Sequence, residues 1–165
     1  MSRSFHRLYS STSATSIASQ FLSKSQRLPP TVQSQLLDAN QLQRLSATLS
    51  RSELSQGLPK NGTALPPCYH LAYFTPAQEE EALGRDGTDT TFNPPSPFTR
   101  RMWAGGELEW LGGDNNKLRV GQQVTETTNL ISAVGKKTRA GEEMVVVGVE
   151  KAYENEDGVA LIDKR

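Results

Sequence analysis

The sequence is poor in several residue types, and each shortage excludes a class of protein. It has one cysteine, Cys68, in 165 residues, so no disulfide can form within the chain and a reducing compartment is favoured. No apolar run approaches the roughly 18 residues of a membrane-spanning helix. Lysine plus arginine equal aspartate plus glutamate, 18 against 18. A net charge of zero gives no support for binding nucleic acid through a basic surface.

Acidic residues are missing from the start of the chain, where Asp38 is the first. The same stretch is rich in serine and carries the basic residues Arg3, Arg7, Lys24 and Arg27. This composition is typical of a mitochondrial transit peptide, which forms an amphipathic helix with its cations off the apolar face. We therefore expect residues 1–30 to be a transit peptide for the mitochondrial matrix, cleaved after Tyr9 or later. The alternative is a disordered, serine-rich tail.

The next segments carry local signals of helix and loop. Asp38 followed by Gln41 fits a capping box, and leucines recur on one face after it, so a helix is predicted over about 39–51. Glycine, proline and Asn-Gly make 55–67 a linker. Asp86-Gly87 predicts a turn within the loop 84–97.

From residue 101 the pattern changes to strands. The stretch "MWAGGELEWLG" alternates, and 117–137 carries β-branched residues at period two, with Val124, Thr128 and Leu130 as expected inward positions. A strand from Met144 to Tyr153 and another from near Val159 are joined by an Asp-Gly turn. The sequence thus predicts a helix followed by at least four antiparallel strands.

Several segments taken together resemble the N-terminal half of a hotdog-fold dehydratase: "LPPCYHLAYF", "PPSPFTRRMWAGGELEW", "LRVGQQV" and the closing hairpin. That MaoC-like family includes fungal mitochondrial hydroxyacyl-thioester dehydratase type 2 and bacterial mesaconyl-C4-CoA and itaconyl-CoA hydratases. The resemblance covers about 35–165. It implies an α+β hotdog fold, a curved antiparallel sheet around a central helix, over residues 31–165. It also implies a single or incomplete half of a double hotdog, with the C-terminal catalytic hotdog absent.

The resemblance implies a hydro-lyase acting on an acyl-CoA or acyl-carrier-protein thioester. The pathway would be mitochondrial fatty acid synthesis or the hydration of short dicarboxyl-CoA compounds. In relatives the catalytic aspartate and histidine lie in the second hotdog, on a segment of the Asp-x-Asn-Pro-x-His kind. Here "DTTFNPPSP" has Asp89 and Asn93, but Ser96 stands where the histidine should be. The alternative function is therefore a non-catalytic hotdog that binds or serves as a scaffold, or a truncated product.

The resemblance also marks candidate substrate-binding residues around the tryptophan. Arginines offer forked donors to phosphate or carboxylate, and glycines permit close backbone approach. The candidates are Arg100, Arg101, Trp103, Gly105, Gly106 and Tyr69. The other interpretation is that Trp103 packs in the core, the glycines form a bulge and the arginines are a solvated rim. His70 is the remaining candidate base, although a histidine among aromatic residues is more often a packed one.

Neither a metal nor a cofactor is expected. No spacing of histidine, cysteine and carboxylates indicates a metal site, and no glycine-rich loop indicates a phosphate site.

The strand that begins near Val159 runs to Arg165 with no further strand after it, so we expect an unpaired sheet edge there. Such an edge predicts pairing with a second hotdog, self-association or aggregation.

Overall fold

The structure, a computed structural model, describes residues 13–113 and 115–165. Its five strands form one antiparallel sheet in the order β1-β3-β4-β5-β2. The strands are β1 Thr31–Leu36, β2 Glu107–Trp110, β3 Gln123–Lys137, β4 Glu143–Asn155 and β5 Gly158–Lys164. The α-helices are α1 Ala14–Ser25, α2 Ala39–Thr48 and α3 Ser52–Ser55, and 3₁₀ helices span Tyr69–Ala72 and Glu80–Ala82. No helix in this part of the chain is long and apolar enough to cross a membrane.

The closing hairpin forms as the sequence predicts. Strands β4 and β5 meet at the pair Asn155 and Gly158, and Gly158 has a φ of 103°, which glycine adopts without strain. The Asn155 side chain accepts a hydrogen bond from the Asp157 backbone N–H at 2.9 Å. On β3 the expected inward residues Val124, Thr128 and Leu130 are all buried. The hairpin and the facing of β3 are therefore confirmed.

The expected open edge at β5 is wrong. Strand β2 pairs with β5 from Glu107 opposite Lys164 to Trp110 opposite Leu161, so β5 lies inside the sheet. Strand β2 is shorter than "MWAGGELEWLG" predicts, and β1, which the sequence analysis missed, pairs with β3. The outer strands of the described sheet are thus β1 and β2. The partner of β5 was missed because β2 precedes it by about fifty residues of intervening chain.

One face of the sheet, the inner face, carries the core. Register pairs Glu126 with Tyr153 and Lys151 with Asp163, and residues directly opposite one another share a face. The 3₁₀ helix Tyr69–Ala72, with the two aromatic residues after it, lies on this face; we call residues 69–74 the aromatic turn. The rings of His70 and Phe74 meet Tyr153 edge-on, with centroids at 4.8 and 5.1 Å. The main core cluster contains Leu37, Tyr73, Phe74, Leu118, Val124, Tyr153, Ala160 and Leu161.

Helix α2 begins where the sequence predicts and holds the aromatic turn. The Asp38 carboxylate caps it by accepting the Gln41 backbone N–H at 2.9 Å. The reciprocal half of the capping box does not form, because the Gln41 side chain donates instead to the Ala72 carbonyl at 3.0 Å. The Tyr73 hydroxyl donates to the Asp38 carbonyl at 2.7 Å. The helix ends at Thr48, three residues before the predicted end at 51.

The N-terminal segment contains a packed helix. In α1 the side chains of Ala14, Ile17 and Ala18 are buried, and the helix contacts β3 and β4. A disordered tail therefore does not describe residues 14–25. The cleavage expected after Tyr9, and His6, lie outside the described residues, and the transit peptide stays a prediction.

Candidate functional site

A groove of about 410 Å³ opens beside β2 on the inner face of the sheet. The register places Leu108 opposite Asp163 and Trp110 opposite Leu161, so Leu108 and Trp110 project toward the same side as the core. Leu71, from the aromatic turn, and Trp103, from the segment before β2, complete an apolar wall. Asp163 and Arg165 form the polar end of the groove.

The wall of this groove is unusually exposed for such apolar side chains. Trp103 is 69% exposed and Trp110 43% exposed, and the neighbouring Met102 is 84% exposed. The interpretation of Trp103 as a core residue is therefore wrong. Clustered exposed aromatic side chains mark a surface that binds a ligand or another protein.

Gly106 allows Trp103 to lie against the sheet edge. A Cβ at this position would come within 2.8 Å of the Lys164 carbonyl oxygen and 2.9 Å of Trp103 Cη2. The close backbone approach predicted for this glycine is confirmed. Gly105 has a φ of 145°, a conformation that favours glycine. The pair thus sets the chain's entry into β2 and the position of the indole.

The polar end of the groove is an ion pair under an aromatic ring. Arg165 donates from Nε and Nη2 to Asp163 Oδ2 at 2.8 and 2.6 Å. Its guanidinium carbon lies 5.9 Å from the centre of the Trp103 ring. The hydrogen bond that Arg165 donates to Asp163 is the main cause that raises the pKa of Arg165. This pair can orient a polar group at the end of an otherwise apolar groove.

A second polar cluster lies on the inner face behind the groove. Lys151 Nζ and the Thr128 hydroxyl donate to Glu126 Oε1 at 2.9 and 3.0 Å. The other carboxylate oxygen of Glu126 is buried and has no hydrogen-bond partner. Burial, and after it the negative charge of Glu126, raise the pKa of Tyr153. The sequence analysis missed Glu126, although it occupies the inward position between Val124 and Thr128 on the same alternation.

His70 is enclosed in this second cluster. It is 2% exposed and its Nε2 atom has no hydrogen-bond partner. Burial is the main cause that lowers its pKa to about 4, with Asp163 opposing the shift and Arg165 adding to it. The imidazole is therefore neutral near pH 7 and lies beneath Tyr153 rather than on the exposed wall of the groove. As the structure stands, His70 has no contact with the space a substrate would occupy.

The structure separates the other candidates from one another. Tyr69 is buried with Leu42 and Val120 in a distinct core cluster, so it does not line the groove. Arg100 and Arg101 are exposed. Burial by itself would raise the pKa of Asp89, but the hydrogen bonds from Thr91 and Gln78 outweigh it and lower the pKa. The charge of Arg101 adds to this lowering. The solvated-rim interpretation thus fits their exposure.

Cys68 does not line the groove, and the described residues hold no candidate metal cluster. Cys68 is exposed and precedes the aromatic turn with a φ of 70°. Across residues 13–113 and 115–165, no group of three or more histidine, cysteine and acidic side chains is placed to hold a metal ion. The groove beside β2 joins exposed aromatic side chains to an ion pair, and it is therefore the candidate binding site.

The five-stranded sheet, its helical cover and the groove define a hotdog domain of the hydratase and dehydratase type. The chain belongs to the family of hydroxyacyl-thioester dehydratase type 2, whose family model matches residues 68–165. It is also 30% identical over 112 residues to the mesaconyl-C(4)-CoA hydratase of Chloroflexus aurantiacus. That alignment covers 67% of this chain and 39% of the relative, so the chain spans about two fifths of the relative's length.

Proposed function

We propose that this chain provides one hotdog domain of a 3-hydroxyacyl-thioester dehydratase or enoyl-thioester hydratase, and that the groove beside β2 binds the acyl thioester. The observation that carries the proposal is the exposure of Trp103 and Trp110 on one wall, with an ion pair at its end. Family membership supports the reaction class, and the relative's name indicates that it hydrates a CoA thioester.

The reaction is the reversible loss of water from a 3-hydroxyacyl thioester. A base removes the proton on the α carbon, and an acid protonates the β hydroxyl as its bond to carbon breaks. Water departs, and the product is the α,β-unsaturated thioester. A donor to the thioester oxygen stabilises the enolate-like transition state. Because His70 is enclosed, we assign the proton transfers to a second hotdog domain that pairs with this one. The alternative, a non-catalytic binding half, is favoured by that same burial.

Arg100 and Arg101 are proposed to contact the phosphates of coenzyme A or of an acyl carrier's prosthetic group. They are exposed, and in the sequence they directly precede Met102 and the groove residue Trp103. Replacing either by alanine is expected to weaken binding by about 1.5–3 kcal/mol, the value of a charge-assisted hydrogen bond.

Mitochondrial fatty acid synthesis and short dicarboxyl-CoA hydration are both compatible with this site. Import into the matrix is proposed from the acid-free start of the sequence.

The chain carries its own reporter of binding, because its two tryptophans both line the groove. We expect crotonyl-CoA to quench the intrinsic tryptophan fluorescence of the full chain in a saturable way. Trp103→Phe should reduce the signal and weaken binding, whereas Leu58→Ala, at an exposed leucine outside the groove lining, should leave both unchanged. No saturable change up to about 1 mM ligand would remove the groove from the proposal.

Activity tests the assignment of the proton transfers. The purified chain alone is expected to show little dehydratase turnover on 3-hydroxybutyryl-CoA. Robust turnover that is lost in His70→Ala would place the base on this chain after all. Binding without turnover would support a half that needs its partner.

A further inference from the structure

Helix α1 packs on the inner face of the sheet, and one continuous side of the helix is buried there. Its buried residues Ala14, Ile17 and Ala18 stand at the i, i+3, i+4 spacing of an apolar stripe, which Phe21 and Leu22 extend as half-buried positions. The helix contacts β3 and β4. This is the segment that composition alone assigns to a removable transit peptide.

Strand β3 carries a glycine, Gly135, directly against the backbone of α1. A Cβ at Gly135 would come within 2.7 Å of Ala14 C and of Thr15 Cα, and it would also clash with the Thr15 backbone nitrogen. These are backbone atoms and cannot swing aside, so any larger residue would force the helix off the strand. Gly135 pairs with Val145 in an ordinary antiparallel register, and no left-handed φ explains the glycine.

Strand β4 supplies the charge that the start of α1 lacks. The first turn of α1 has no acidic residue, and Ser13 caps it by accepting the Ser16 backbone N–H at 3.3 Å. Glu143 reaches across from β4, and its Oε2 accepts the Ala14 backbone N–H at 2.9 Å. A carboxylate at a helix N-terminus satisfies a free N–H and the helix dipole together.

We propose that α1 is a permanent part of the folded domain, and that any leader removed from this chain ends before Ser13. Removal through residue 30 would uncover the strip of sheet that surrounds Gly135, where Ala133 on β3 lies opposite Val147 and Gly135 opposite Val145 on β4. Cleavage after Tyr9 would instead leave the cap and the helix intact. The domain boundary near residue 31 is thus replaced by one before residue 13.

The N-terminus of the protein isolated from the cells that make it is the direct test. Sequencing or intact mass should place the first residue at or before Ser13, and an unprocessed Met1 satisfies the proposal equally. A mature N-terminus at Ala14 or any later residue would overturn it. This outcome is independent of thioester binding, so it can fail while the proposed function stands.

Substitutions in the full chain test the docking itself. Gly135→Ala should lower Tm by roughly 5–10 °C, the scale expected from overpacking in a domain of this size. Gly57→Ala is the matched control, because nothing lies within 4 Å of a Cβ there. Glu143→Gln should lower the hydrogen-exchange protection of α1, whereas Glu142→Gln at the exposed neighbour should not. Equal Tm values for both glycine variants, or an α1 that exchanges freely in the unaltered chain, would refute the proposal.

Discussion

The histidine enclosed beneath Tyr153 makes the stability of the domain depend on pH. The pKa of His70 is 6.5 in its ordinary state and about 4 in the fold, mainly because of burial. Above pH 6.5 the imidazole is neutral in both folded and unfolded chains. As the pH falls from 6.5 toward 4, the unfolded chain takes up the proton first, so the free energy of unfolding decreases, by about 3 kcal/mol in total.

This dependence can be isolated with His70→Gln. We expect urea unfolding at pH 7.5, 6 and 5 to show a smaller loss of stability in the variant than in the unaltered chain. His6→Gln changes the other histidine and serves as the control. If the unaltered chain and His70→Gln lose stability in parallel between pH 6.5 and 5, His70 is not enclosed as the structure shows.

For single residues, the sequence predicts which face of the sheet a side chain takes better than it predicts which residue the side chain contacts. The alternation that identifies Val124 and Thr128 as inward also places Glu126 inward, so its burial could be predicted from the sequence. Its partner Lys151 lies on the next strand, and only the register brings the two within 2.9 Å. Likewise the interpretation that packs Trp103 in the core is wrong, because its size favours burial while its exposure follows from where β2 joins the sheet.

Among the elements, those made by local signals were predictable and those made by distant pairing were not. The Asp38 cap and the leucine spacing identify α2, and the Asp-Gly turn identifies the β4–β5 hairpin. Strand β1 was missed because it pairs with β3 nearly a hundred residues later in the chain. The groove depends on such a pairing, since β2 brings Trp110 beside β5, so its lining could be foreseen only in part.

At the start of β2, Gly106 leaves room for the Trp103 indole against the edge of the sheet. Gly106→Ala places a Cβ against the Lys164 carbonyl and the Trp103 ring, so the indole must leave the sheet edge. We expect crotonyl-CoA affinity to fall about tenfold, the effect of roughly 1.4 kcal/mol, with a modest drop in Tm. Gly57→Ala should change neither quantity. Unaltered fluorescence titration in Gly106→Ala would mean that the position of Trp103 does not matter for binding.

Association of the whole molecule is still expected, but its cause is a surface of exposed apolar side chains and not an unpaired edge at β5. The sheet ends in β2 rather than β5, and β2 has only four residues, so little unpaired backbone is offered there. The adhesive feature is instead the cluster of exposed apolar side chains beside it, Met102, Trp103 and Trp110. A surface of this kind fits a second hotdog domain or a second copy of this chain.

We therefore expect the purified full chain to elute above the 18.1 kDa of a monomer in size-exclusion chromatography with light scattering. Replacing Trp103 and Trp110 together by serine should shift it toward the monomer, because the apolar surface that drives association is removed. Leu58→Ser, at an exposed leucine outside the groove lining, is the control and should leave the mass unchanged. A monodisperse monomer of the unaltered chain that unfolds cooperatively would show that the exposed aromatic wall needs no protein partner. In that case the groove would be a ligand site alone, and the assignment of the proton transfers to a second hotdog would rest on the burial of His70 alone.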